Sequence, residues 1–132
     1  MEIQGSSKTT HPSGIALIVD DDDSQALLTR LLLERLGYEV VLCSNPFDAL
    51  NLFRTGNANF HFVATDYAMF PMDGLELAKN ILSIAPDTAI LLLTGLDHPA
   101  IFRQARDLGV REICTKPTTA DEFAEVLLQA GL

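Results

Sequence analysis

The sequence has no apolar run approaching the ~20 residues needed to cross a bilayer. Its first 14 residues, MEIQGSSKTTHPSG, carry no apolar core of the kind that drives secretion. The expected location is therefore the cytoplasm, with no membrane insertion. Basic residues are scarce: 9 Lys and Arg stand against 18 Asp and Glu, for a net charge of −9. That balance argues against a nucleic-acid surface, which needs a basic patch, and against docking on anionic lipid. It suits metal cations, or partners that are basic where they touch. Cysteine is nearly absent. Cys43 and Cys114 fit no metal-ligand spacing and no CxxC motif. There is no low-complexity tract and no internal repeat.

What is present is one ordinary domain's worth of chain. The 132 residues are 48% hydrophobic and 20% charged, enough to bury roughly two-thirds of the unfolded surface without staples. Residues 1–14 read as a flexible N-terminal segment, and 15–132 as the folded domain. From Ile15 the pattern alternates. Ile15–Val19 is a short apolar run ending in acids, a buried strand. Ser24–Leu36 follows at helical spacing, with Leu27, Leu28, Leu31, Leu32 and Leu36 as its apolar positions and Gly37 as its stop. Tyr38–Cys43 is a second strand. Asn45-Pro46 opens a helix to about Arg54, with an N-cap followed by proline at the first helical position. Phe60–Thr65, Ala89–Leu93 and Arg111–Thr115 are strands three to five. A helix over Asp73–Ala85, one from Asp97-His98-Pro99 to Gly109, and one begun by the capping box Thr119-x-x-Glu122 fill the remaining intervals.

Five β-α units in strict alternation predict an α/β fold, a single doubly wound (βα)5 domain of flavodoxin-like type. Strands one, three and four are uninterrupted and apolar, hence central. Strands two and five carry Glu39, Arg111 and Glu112, hence edges. The parallel order 2-1-3-4-5 satisfies this placement and the right-handed crossover rule. It puts Cys43 and Cys114 on opposite edges, four strand spacings or roughly 19 Å apart, too far for a disulfide. Both are expected to be free thiols.

In such a sheet, functional groups gather at the carboxyl ends of the strands. Strand one ends in Asp20-Asp21-Asp22-Asp23, strand three in Asp66, strand four in Thr94-Gly95 and strand five in Lys116-Pro117. Each has an ordinary explanation on its own. Aspartates before a helix cap it and oppose its dipole. A lone Thr makes turns, and a lone Lys is solvated. The joint placement of acids, hydroxyl and ammonium on one rim is what points to chemistry. Asp20, Asp21 and Asp66 bring three negative charges and Lys116 one positive, leaving a charge that one divalent ion neutralises. Oxygen-only ligands with room for water suit magnesium.

The residues IVDDD at 18–22, Asp66 with Met69, MDG at 72–74, LTG at 93–95 and TKP at 115–117 together resemble a response-regulator receiver domain of bacterial two-component signalling, over residues 15–130 and similar to the chemotaxis regulators. The resemblance implies that Asp66 is the phosphoacceptor, attacking the phosphohistidine of a histidine kinase or phosphotransfer protein to form an aspartyl phosphate. Asp20, Asp21, Asp66 and the backbone carbonyl of Ala68 would hold Mg2+, with Asp21 a direct ligand and Asp20 acting largely through water. Thr94 and Lys116 would each contact a phosphoryl oxygen. The chain would accept and slowly hydrolyse its own phosphate without being a turnover enzyme, and would signal to a downstream protein target by conformational change. A homodimer is left open. So is the choice between a free-standing regulator and a piece of a longer protein. The Lys116–Pro117 bond is expected to be cis, since Lys116 must turn back toward Asp66 as the chain enters the last helix.

The sequence departs from the family pattern in its switch region. Ile113 stands where most members carry Tyr or Phe. Gly95 and Leu96 follow Thr94, and Phe70-Pro71 replaces the usual Pro-Gly. Signal transmission is therefore expected to run through Gly95, Leu96 and the helix that follows, without an aromatic rotor. Three other classes fit the sequence less well. A haloacid-dehalogenase-like phosphatase needs a second acid two residues past its nucleophile, and Ala68 stands there. A phosphorylation-independent protein-binding module on the same fold would have no use for the five pocket residues. A flavodoxin would not place four aspartates where a phosphate must sit.

Overall fold

The computed structural model describes residues 14–95, 99–116 and 118–132. Its elements alternate from the start: β1 (Ile15–Val19), α1 (Asp23–Arg35), β2 (Glu39–Cys43), α2 (Pro46–Arg54), β3 (Phe62–Asp66), α3 (Gly74–Ile84), β4 (Ile90–Thr94), α4 (Pro99–Leu108), β5 (Glu112–Thr115) and α5 (Ala120–Gln129). The five strands form one parallel sheet in the order β2-β1-β3-β4-β5.

Strand pleat sorts the core into two layers. Ala16 and Ile18 of β1, Phe62 and Ala64 of β3, and Leu91 and Leu93 of β4 face Leu33 of α1 and Phe123 and Leu127 of α5. Leu17 and Val19, Val63, and Ile90 and Leu92 face the opposite layer, where Leu50 and Phe53 of α2, Leu77 and Ile81 of α3, and Ala105 of α4 cover them. Every residue of β3 and β4 is buried, whereas β2 is half-exposed along its length. The inner and edge positions expected from apolar content are those observed. Cys43 and Cys114 are free, one half-buried on β2 and the other buried on β5.

Local signals set the helix ends. Asn45 caps α2, its side chain accepting from Phe47 N–H with Pro46 at the first position. Thr119 and Glu122 form the reciprocal capping box of α5. Gly37 stops α1 in the left-handed region, at a φ of 98°, where a side chain would be strained.

The model corrects two expectations. β3 runs to Asp66 and begins at Phe62, so the acceptor candidate is the strand's last residue, held in the ladder. On α1 the helical period is present, but of the assumed core face only Leu32 and Leu36 pack against the core. Leu27, Leu28 and Leu31 are 53%, 58% and 53% exposed. The buried line is Ala26, Thr29 and Leu33, because small residues let the helix lie close on the sheet.

Candidate functional site

The backbone carries the site residues to one rim. Beyond the strand ends the ladder continues: Asp20 N–H donates to Cys43 carbonyl at 3.1 Å, Tyr67 N–H to Leu93 carbonyl at 2.8 Å, and Lys116 N–H to Thr94 carbonyl at 2.8 Å. Asp20, Asp66 and Lys116 are thus held at the ends of three strands of one sheet, with Thr94 closing β4.

The four consecutive aspartates divide the work. Asp22 caps α1, accepting from Gln25 N–H at 3.1 Å, and Asp23 opens its first turn. Asp20 lies beneath them, nearly fully buried, with Oδ1 accepting from Asp22 N–H at 3.0 Å. Asp21 is exposed, yet one carboxylate oxygen from each of Asp20, Asp21 and Asp66 can be chosen so that the three lie within 4.8 Å of one another. Lys116 reaches across from β5. Its Nζ is 2.7 Å from Asp66 Oδ1 and 4.0 Å from Asp20 Oδ2, at 19% side-chain exposure.

The electrostatics are unbalanced. Lys116 satisfies Asp66, but it stands beyond hydrogen-bond reach of Asp20. Asp20 Oδ2 is fully buried and meets no donor among the described residues. Burial pushes the Asp20 carboxyl above the usual carboxylate range, and the charges of Asp66 and Asp21 add to this. The Asp22 N–H and the Lys116 ammonium oppose it. A buried carboxylate oxygen without a partner, beside two more acids, is a donor set suited to a hard divalent cation. The residues present therefore fit Mg2+.

Thr94 is buried at the end of β4, opposite Thr115 in the ladder. Ala68 sits in the exposed loop two residues past Asp66. Ile113 is half-buried beside Leu92 and packs on the α2–α4 layer. Gly95 is exposed, its φ lies outside the left-handed region, and among the described residues a Cβ there would meet nothing within 4 Å. Backbone conformation thus does not require glycine at 95. Leu96, also expected in the switch region, lies outside the described residues, as does Pro117 with the Lys116–Pro117 bond expected to be cis. The cis bond among the described residues is Phe70–Pro71, in the loop after Asp66.

The response regulator receiver domain model matches residues 16–128. The chain belongs to that family. Ethylene receptor 2 of Arabidopsis thaliana is 33% identical over 122 residues, covering 86% of this chain and 16% of the receptor. This receiver chain spans less than a third of the length of the curated relatives it matches. A receiver domain protein from Clostridium thermocellum superposes with a TM-score of 0.81 at 27% identity, covering 89% of this chain and 93% of that one. A Burkholderia pseudomallei response regulator, solved with a phosphorylated aspartic acid, a calcium ion and citrate, superposes at 0.78 with 30% identity, over 89% of this chain and 69% of that one. Among the described residues no helix is long and apolar enough to cross a membrane.

Sequence reasoning passed over one residue at the rim. Gly74 follows the α3 cap Asp73 and lies against the Asp66 peptide. Its only signal was its place in the MDG motif.

Proposed function

We propose that this receiver takes a phosphoryl group from a histidine kinase or phosphotransfer protein onto Asp66, with Mg2+, and passes the signal on to a downstream protein. The observation that carries the reading is Asp66 itself: a strand-end carboxylate, almost buried, 2.7 Å from an ammonium and flanked by two further acids. One Asp66 carboxylate oxygen attacks phosphorus. The bond from phosphorus to the donor's imidazole nitrogen breaks, its electron pair stays on the ring, and an acyl phosphate remains. Water later hydrolyses that bond and returns the carboxylate.

Phosphoryl transfer demands positioning and neutralisation of the phosphoryl oxygens. Lys116, already on Asp66, pairs with one of them, and the Thr94 hydroxyl donates to another. Asp20, Asp21, Asp66 and the Ala68 carbonyl hold Mg2+, which when bound neutralises charge on the transferring group. That the Burkholderia relative was solved with a phosphorylated aspartate and a divalent ion supports the same roles here.

Output runs through α4. That helix fully buries Ala105, with Ile101 and Leu108 half-buried against the core, a lighter anchorage than that of α3, which buries five residues. Ile113, stiff about χ1, packs in place of a mobile ring. Incubation with acetyl phosphate and Mg2+ should add about 80 Da to the intact protein, the mass of one phosphoryl group. Asp66→Ala should stay unmodified. A wild type that gains no mass, or an Asp66→Ala protein that gains it, overturns the reading.

A further inference from the structure

Gly74 is the first residue of α3 and is buried. Its φ lies outside the left-handed region, unlike that of Gly37 or Gly109. Glycine is not required there by backbone conformation, and it is a poor helix former. Space is the remaining reason. A Cβ built on Gly74 would overlap the Asp66 carbonyl oxygen and lie 2.9 Å from both Tyr67 Cα and Leu92 Cδ1. Two of those three atoms are backbone of the acceptor and its neighbour, which cannot rotate away as a side-chain tip can.

The same peptide is gripped from several sides. Gly74 N–H donates to the Tyr67 carbonyl at 2.9 Å, and Tyr67 N–H donates to Leu93. The buried Thr65 hydroxyl donates to the Asp66 carbonyl at 3.1 Å. Asp73 locks the first turn of α3 by accepting from Glu76 N–H at 2.9 Å. The α3 terminus is therefore a stop against which the Asp66 peptide rests. On its far side the Asp66 carboxylate meets Lys116 at 2.7 Å.

We infer that Gly74 is a positioning residue for phosphoryl acceptance: its missing side chain is the space that the acceptor's own peptide occupies. The inference rests on the reading of Asp66 as acceptor. A methyl group at 74 moves that peptide by on the order of 1 Å, and a displacement of that size at a reacting group costs roughly a hundredfold in rate.

The test compares labelling rates by acetyl phosphate at saturating Mg2+, with Mg2+ affinity measured by calorimetry. Folded Gly74→Ala should label roughly a hundredfold more slowly and bind Mg2+ more weakly. Leu127→Ala, which loses core packing on α5, should keep the wild-type rate. Folded Gly74→Ala labelling within about threefold of wild type, a few per cent of the expected loss, overturns the inference. If Gly74→Ala does not fold, Asp73 decides. Asp73→Ala uncaps α3 and should slow labelling several-fold, while Asp73→Asn, which keeps a capping oxygen, restores it. Equal rates across the Asp73 pair overturn the inference. A wild type that binds Mg2+ without labelling defeats the acceptor reading and the inference that rests on it, whereas a wild type that labels beside a folded Gly74→Ala of equal rate defeats the inference alone. A wild type that does neither overturns both.

Discussion

Lys116→Met removes the ammonium that pairs with Asp66 and faces Asp20, two of the three site carboxylates, and replaces it with an apolar chain of similar length. In the wild type Nζ sits 2.7 Å from Asp66 and 4.0 Å from Asp20, whose side chains are 8% and 0% exposed. Removing one partner of a buried ion pair costs about 3–5 kcal/mol, because the remaining charge stays desolvated. Lys116 keeps 19% exposure and water can reach the gap it leaves, so the low end, about 3 kcal/mol, applies. For a chain of this length that lowers the melting temperature by roughly 12 °C in EDTA. Mg2+ should then recover more in the variant than in the wild type. Three carboxylates face the ion with no ammonium competing, and an apparent affinity gain of at least tenfold is expected, about 1.4 kcal/mol. Thermal scans of both proteins with EDTA and across a Mg2+ series give both numbers. Equal melting temperatures in EDTA, or equal Mg2+ responses, would refute the claim that Lys116 stands in for part of the missing positive charge.

Other expectations follow from the same geometry. Asp20→Asn should stabilise the metal-free protein at neutral pH. The Asp20 carboxyl is pushed up by burial, so its favourable contribution is present below the unfolded-state pKa and lost as pH rises through the higher folded value. The gain should vanish at acid pH in paired melts, and equal stability of the two proteins at pH 7 would contradict it. Asp21→Asn should blunt the Mg2+-dependent rise in melting temperature, and an undiminished rise would remove Asp21 from the ligand set. Cys114, buried and with its thiol pushed up by burial, should resist alkylation until the protein unfolds, whereas rapid native reaction would contradict the packing. Beryllofluoride, a phosphoryl mimic, should shift the amides of Gly95 and α4, and changes confined to Ile113 would contradict a route through α4.

Much of the fold could be read in advance because its signals are local. Apolar runs too short for helices, caps such as Asn45-Pro46 and Thr119-x-x-Glu122, and charged residues at the starts of β2 and β5 determine element type and sheet order together. The rim followed from topology, since acids and the lysine at successive strand ends must converge once the order is 2-1-3-4-5. What escaped is tertiary. Periodicity marks α1 as a helix but does not say which stripe faces inward. Ala26 and Thr29 join Leu33 there because they are small, and Leu27, Leu28 and Leu31 are left outside. The role of Gly74 is likewise invisible in sequence, because the space it spares belongs to a strand eight residues earlier in the chain.

The central claim is that Asp66 becomes an acyl phosphate. Borohydride reduces an acyl phosphate to an alcohol and leaves free carboxylates untouched. Peptide mapping after treatment with acetyl phosphate, Mg2+ and borohydride should therefore find homoserine at position 66 alone. Homoserine at Asp20 or Asp21 with an intact Asp66, or no homoserine in a protein that has gained phosphoryl mass, would contradict it.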